Sequence, residues 1–131
     1  MRELTHSTNY IVLHEYEDAF LERGGGERVA LGSFYGDPAC ALIDREERWC
    51  VVAGCGLVVY FLREPFSPVD IFPSEQYVWV YPTWADPPWV VDMSQPSPNV
   101  IRFALDPYGD RPGEYDLIFP ALEVVKRTAT D

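Results

Sequence analysis

The sequence contains few of the residues from which catalytic and metal-binding sites are usually built. It has only two histidines, His6 and His14, and no Gly-x-Ser-x-Gly, His-Glu-x-x-His or dinucleotide-binding glycine motif. His14 falls inside a predicted strand and His6 lies close to the N-terminus, so neither is well placed to act as a catalytic base. We therefore expect a protein that is not an enzyme and that needs no cofactor.

Cysteine is also scarce. The three cysteines, Cys40, Cys50 and Cys55, include no Cys-x-x-Cys pair, and both histidines are far from them in sequence, which argues against zinc. A chain of 131 residues that is 47% hydrophobic can form a complete core without a disulfide. We predict that the three thiols are reduced, largely buried and free of metal.

Long apolar runs are missing as well. No run approaches the roughly 20 residues that a membrane-spanning helix needs. The N-terminal residues 1–7 lack the apolar core of a secretory signal. We expect a single β domain over residues 1–131, located in the cytoplasm, with no membrane partner and with a monomer favoured.

Basic residues are few overall and absent from one long span. The chain has 21 acidic and 10 basic residues, a formal charge of −11, and this charge repels nucleic acid and anionic membranes. Between Arg63 and Arg102 there is no lysine or arginine, and we call this stretch the basic-free span. Its carboxylates and aromatic rings together are typical of surfaces that bind a basic protein. The candidate partner-binding residues are Glu64, Asp70, Trp79, Tyr81, Trp84, Asp86, Trp89 and Asp92.

Two features of these candidates stay open from sequence alone. Tryptophan in a small β protein is usually a core residue, as we expect for Trp49, but Trp84 and Trp89 lie in a proline-rich loop and are as readily exposed. A second acidic cluster, made of Glu15, Glu17, Asp18 and Glu22, is either a solvated face or the next candidate for a binding surface.

The sequence predicts secondary structure most clearly in residues 36–62. A Gly-Asp-Pro turn is followed by three apolar runs, which are separated by the charged residues 44–48 and by the glycine pair Gly54 and Gly56. This punctuation predicts three antiparallel strands. The last run, 57–62, has no polar face, so we expect both of its sides to be covered.

Further strands are predicted on both sides of this centre. Alternating or β-branched residues indicate strands at 9–16, 28–33, 76–81, 100–105, 114–119 and 122–126. Residues 17–23 could form either a short helix or a continuation of the first strand. Eight of the twelve prolines fall in residues 64–99, which predicts that 76–81 is the one strand there, with an aromatic face and an aliphatic face.

These elements together predict an all-β fold with minor helix. We expect an antiparallel meander of about eight to ten short strands, forming a sandwich or a strongly twisted, partly closed sheet.

Several short motifs resemble a bacterial family of small immunity proteins that are encoded beside polymorphic or contact-delivered toxins. They are Tyr35-Gly36-Asp37-Pro38, Ala41-x-Ile43-Asp44, Trp49-Cys50, Gly54-x-Gly56-Leu57 and Tyr60-Phe61-Leu62-x-Glu64-Pro65. The resemblance covers residues 34–66 and, loosely, the C-terminal hairpin. It implies a cytoplasmic, non-enzymatic protein that binds one cognate toxin and blocks its active site or its assembly. Binding residues vary with the toxin in this family, so no functional position is carried over.

The function predicted from sequence is neutralisation of a toxin by a binding protein. The negative charge favours a basic toxin such as a nuclease, whose phosphate-binding cleft carboxylates would counter. The alternatives are a small hydrolase or lyase with paired carboxylates, and a β module that assembles with itself through its aromatic strand.

Overall fold

The computed structural model describes residues 1–70, 72, 74–83 and 86–128, and nearly all of its regular structure is β. Twelve strands in this part of the chain form three open, four-stranded antiparallel sheets. The predicted all-β antiparallel class is confirmed, with more strands than the eight to ten expected. One 3₁₀ turn, Gly24–Gly26, is the helical element among the described residues.

Each sheet is a meander of four strands that follow one another along the chain. Sheet 1 consists of β1 (Arg2–His6), β2 (Ile11–Glu15), β3 (Asp18–Glu22) and β4 (Arg28–Ser33). Sheet 2 consists of β5 (Cys40–Ile43), β6 (Trp49–Gly54), β7 (Gly56–Phe61) and β8 (Tyr77–Tyr81). Sheet 3 consists of β9 (Val90–Ser97), β10 (Val100–Leu105), β11 (Gly113–Ile118) and β12 (Glu123–Lys126).

Sheet 2 is the middle layer, because its two faces contribute to two different cores. Along β7 the side chains alternate: Val58 and Tyr60 pack with sheet 1, whereas Leu57 and Val59 pack with sheet 3. Every residue from Trp49 to Tyr60 is buried. The prediction that both sides of the apolar run 57–62 are covered is therefore confirmed.

Most predicted strands are present. The strand at 28–33 is β4, and the strands at 100–105 and 114–119 correspond to β10 and β11. Ile101, Phe103 and Leu105 share a buried face, as their alternation predicts. Residues 17–23 form neither a helix nor a continuation of the first strand. They contain a separate strand, β3, in which Phe20 and Leu21 pair with β2 across a two-residue hairpin turn.

The prediction of a single strand within residues 64–99 is wrong. That stretch also contains β9, which at eight residues is the longest strand, although Pro96 lies within it. The pairing of β9 with β10 shifts register between Ser94 and Ser97, so Pro96 falls in a bulge at the edge of sheet 3. A proline there removes no ladder hydrogen bond, and this is why the strand tolerates it.

The predicted division of β8 into an aromatic and an aliphatic face is also wrong. Tyr77 and Trp79 pack into the core with sheet 1, but Tyr81 and Val80 pack against the core with sheet 3. The cause is a register shift next to Leu57, which moves Tyr81 to the other side of the sheet.

All three cysteines are free thiols. Cys50 and Cys55 are buried, which confirms the prediction for them, while Cys40 is half-buried against the core with sheet 3. Burial raises the pKa of Cys40 and of Cys50 to about 12, so both stay protonated at neutral pH. The part of the chain that the structure describes holds no cluster of three or more His, Cys, Asp or Glu side chains able to bind a metal ion.

Candidate functional site

At one end of the layered fold, turns from all three sheets come together. Backbone hydrogen bonds join Ala39 N to Ala53 O at 2.8 Å, Gly56 N to Pro88 O at 3.2 Å and Asp106 N to Trp89 O at 2.9 Å. Segments 34–39, 54–56, 86–89 and 106–112 are thereby held side by side. We call this region the cleft end, because these turns enclose the cleft described next.

The cleft has a volume of about 450 Å³. The buried residues Cys55 and Leu105 contribute apolar surface to it. The other lining residues are Tyr35, Thr83, Asp86, Pro87, Pro88, Trp89, Asp106, Gly109, Asp110 and Arg111. Three carboxylates therefore face one guanidinium, and none of the four forms an ion pair with another described residue.

Arg111 is weakly held in the cleft. Its Nη2 lies 3.5 Å from the backbone oxygen of Asp86, a long hydrogen bond, and the side chain is exposed. Burial raises the pKa of the Cys55 thiol, and the nearby Asp86 carboxylate raises it further.

Aromatic rings border the same cleft. Trp89 is 40% exposed, Tyr35 is 73% exposed, and Tyr108 in the adjoining 106–112 turn is 95% exposed. The tip of the Trp89 ring packs on Gly36, which has φ +78°. A Cβ at that glycine would lie 2.9 Å from Trp89 Cη2, so only glycine leaves room for the ring and accepts the backbone conformation.

A smaller depression continues the acidic surface beyond Tyr35. It has a volume of about 230 Å³ and is lined by Met1, Arg2, His14, Glu15, Tyr16 and Asp37. The carboxylate of Glu17 accepts a hydrogen bond from Gly36 N at 2.7 Å, which ties the β2–β3 turn to the turn under Trp89. Glu15 and Glu17 of the second predicted acidic cluster are therefore neighbours of the cleft. Glu22 of that cluster is not, because it pairs with Arg28 at the other end of β3 and β4.

The charges at the opposite end of the fold are used in structural pairs. Arg23 contacts Glu64 at 2.9 Å, and Arg48 contacts the buried Asp44 at 2.6 Å. Glu47 accepts hydrogen bonds from Ser7 and Asn9, which join sheet 2 to sheet 1. These contacts at the opposite end hold the sheets together, whereas Asp86, Asp106 and Asp110 in the cleft form no ion pair with a described residue.

The structure brings only part of the predicted site together. Asp86 and Trp89 line the cleft, whereas Asp92 is an exposed residue of β9 outside it. The Asp92 carboxylate adds to the effect of burial in raising the pKa of the half-buried Cys40 thiol, so it lies near the start of β5. Trp84, the other loop tryptophan, lies outside the described residues.

The remaining four predicted residues make structural contacts elsewhere. Trp79 packs against Phe34 in the core with sheet 1, and Tyr81 packs edge-on against Phe103 in the core with sheet 3. Glu64 pairs with Arg23 at the opposite end. Asp70 accepts a hydrogen bond from Phe72 N at 2.8 Å within its own loop.

Sequence reasoning missed most of the cleft, because only Asp86 and Trp89 among its lining residues were predicted. Tyr35, Asp106, Asp110 and Arg111 lie outside the basic-free span, although residues 106–113 were recognisable as a turn that carries charges. The pattern within each turn does not say which turns meet. Only the order of the sheets brings the turn before β5 against the turn before β9.

The shifted carboxyl groups are not in the cleft. Burial alone would raise the pKa of Asp44, but hydrogen bonds from Arg48 and Gln95 outweigh burial and lower it. A hydrogen bond from Ser7 lowers the pKa of Glu47, and a hydrogen bond from Arg102 lowers the pKa of Asp116. These pKa values are lowered by contacts that hold the fold together. An acid catalyst needs the opposite, a carboxyl group whose pKa is raised.

Comparison with known proteins found no match to a protein-family model, to a curated protein or to a solved structure. Among the described residues no helix has the length and apolar character needed to cross a bilayer.

The seat of Trp89 can be tested through Gly36. We expect Gly36→Ala to destabilise the fold by about 1 kcal/mol, because alanine is strained at positive φ, and to displace the Trp89 ring. Thermal denaturation and tryptophan fluorescence would measure the two effects. Gly24→Ala is the matched control, since nothing lies within 4 Å of its added Cβ. Equal effects of the two substitutions would contradict the described packing.

Proposed function

We propose that this protein neutralises a cognate toxin by binding it, and that the toxin presents a basic surface to the cleft end. The resemblance to immunity proteins motivates the proposal. The observation that carries it is the uneven use of charge. Asp86, Asp106 and Asp110 line the cleft and form no ion pair with a described residue, while Asp44 and Glu64 at the opposite end each pair with an arginine.

The composition of the cleft end supports a protein as the partner. Protein interfaces are enriched in tyrosine and tryptophan, and here Tyr16, Tyr35, Trp89 and Tyr108 are all substantially exposed at or beside the cleft. A nucleic acid would meet Asp86, Asp106 and Asp110 with its own phosphates and be repelled. A basic protein is attracted by the same charges, which raises its rate of encounter.

Co-expression tests the proposal. The protein would be produced together with each product of the neighbouring genes, and growth rescue and co-purification would be measured. We expect one neighbour to be toxic alone, harmless with this protein, and recovered in a complex with it. The proposal fails if no neighbouring product is toxic, or if toxicity persists with both proteins present.

The same samples test the two alternatives. A self-assembling module would elute on sizing well above the 15.0 kDa of one chain at micromolar concentration. A carboxylate-dependent hydrolase would turn over model esters or glycosides and lose turnover in Asp106→Asn or Asp110→Asn. We expect a monomer and no turnover.

A further inference from the structure

We propose that the cleft is a docking site for an arginine side chain of the partner protein. This inference rests on the proposed function only in taking the partner to be a protein. It names the group that enters the cleft and the residues that receive it.

The cleft has the walls that a guanidinium group needs. Trp89 and Tyr35 offer ring surface at its border, and Cys55 and Leu105 supply apolar contact for the aliphatic part of a side chain. The cleft volume of about 450 Å³ exceeds the volume of one arginine side chain, so the side chain can enter while the partner's backbone lies at the rim. Guanidinium groups stack on aromatic rings and are weakly hydrated, which makes them easy to desolvate.

The charged residues that line the cleft favour a positively charged ligand. Asp86, Asp106 and Asp110 line the cleft against Arg111 alone. Carboxylates receive the planar fork of arginine in bidentate pairs, whereas the lysine ammonium is a point charge that gains less from ring stacking. An anionic ligand would have one cation to bind and three carboxylates to repel it.

Arg111 acts against the incoming group. Among the described residues its side chain makes one hydrogen bond, a long one to Asp86 O, and it places a positive charge beside the carboxylates. Removing this charge should therefore strengthen docking of a cation. If the cleft instead binds an anion through Arg111, removing this charge should weaken binding of that anion, so one substitution tested with ligands of both charges separates the two ideas.

A titration of the isolated protein tests the inference without the toxin. A hexa-arginine peptide would be added to isotope-labelled protein, with hexa-lysine and hexa-glutamate peptides of the same length as comparisons. Amide and indole resonances would be followed at low and high salt. We expect the arginine peptide to shift the Trp89 indole and the amides of Cys55 and Asp106, to bind more tightly than the lysine peptide, and to weaken with salt.

Three variants make the titration specific. Asp106→Asn with Asp110→Asn should weaken hexa-arginine binding about fivefold or more, as the loss of about 1 kcal/mol of charge pairing implies. Arg111→Gln should tighten it. Glu123→Gln removes one negative charge from an exposed position on β12 and is the control, for which we expect no more than a small change.

The inference is overturned if the shifts map outside the cleft, if the lysine peptide binds as tightly, or if Arg111→Gln weakens binding. These outcomes are distinct from failure of the proposed function. A toxin that is neutralised equally well by the Asp106 and Asp110 variant would leave the function standing and remove the arginine site. Arginine binding in the cleft with no toxic neighbour would do the reverse.

Discussion

Replacing Asp44 with alanine should lower the free energy of unfolding by about 2 kcal/mol or more, as expected when a buried carboxylate that accepts charge-assisted hydrogen bonds is removed. Asp44 is 1% exposed and accepts hydrogen bonds from Arg48 Nε at 2.6 Å and from Gln95 Nε2 at 2.8 Å. The second of these bonds joins sheet 2 to sheet 3. Alanine would remove the buried acceptor that these two bonds share, and Arg48 and Gln95 would keep only their bonds to the 98–99 turn and the long contact of Arg48 with Glu46. Chemical denaturation followed by circular dichroism measures the loss.

The ion pair also predicts how stability depends on pH. The pKa of Asp44 is lower in the folded protein than its ordinary value of 3.8. Its contribution is therefore complete above about pH 4 and is lost as the pH falls through the folded pKa. The wild type should lose stability below about pH 4, and Asp44→Ala should lose less there. Glu46→Gln is the control, because Glu46 is exposed and its contact with Arg48 is long, at 3.6 Å. We expect it to lower the free energy of unfolding by less than about 0.5 kcal/mol. An Asp44 variant as stable as this control would contradict the role of the pair.

The middle of the fold was predictable because its signals are local. The turns around Asp44 and Gly56 punctuate three apolar runs, and a run without a polar face needs cover on both sides. That cover could not be identified from the run itself. Sheets 1 and 3 lie on its two sides because two further meanders, earlier and later in the chain, each bury one apolar face against it.

Two of the errors have the same physical cause, which is that a strand bulge is not visible in a period-two pattern of residues. Pro96 argues against a strand until a bulge at the sheet edge removes the need for its N–H. A single extra residue in β8 turns Tyr81 away from the face that holds Tyr77 and Trp79. Strand β1, at Arg2–His6, was missed because its residues are mostly polar and its pairing with β2 gives it structure.

The candidate site was only partly predictable for a related reason. Charge and aromatic content pointed to the basic-free span, and two of the residues predicted there, Asp86 and Trp89, do line the cleft. Glu15 and Glu17 looked like a separate cluster because 60 or more positions separate them from that loop in sequence. The Gly36 turn brings them together, since it contacts Glu17 on one side and Trp89 on the other.

The second large effect concerns Trp89. If the cleft end binds the toxin, Trp89→Ala should weaken the complex by about 2 kcal/mol or more, as interface hot spots do. We expect the loss chiefly in faster dissociation, by about 30-fold, because the ring supplies desolvated contact area. Asp86→Lys should act on the other rate: it places a positive charge at the rim, slows association and makes it less sensitive to salt. Surface-immobilised kinetics against the cognate toxin at two salt concentrations measures both rates.

Matched variants make this result specific to the cleft. Phe72 is 67% exposed and does not line the cleft, so Phe72→Ala removes a comparable ring and should leave dissociation unchanged. Asp92→Lys makes the same charge change as Asp86→Lys, but on β9 outside the cleft, and should slow association less. Circular dichroism confirms that each variant is folded. Equal effects of Asp86→Lys and Asp92→Lys on association would mean that the total charge, and not the cleft, steers the toxin. Unchanged dissociation of Trp89→Ala would place the contact surface away from the cleft, because removing a ring from the centre of an interface speeds dissociation.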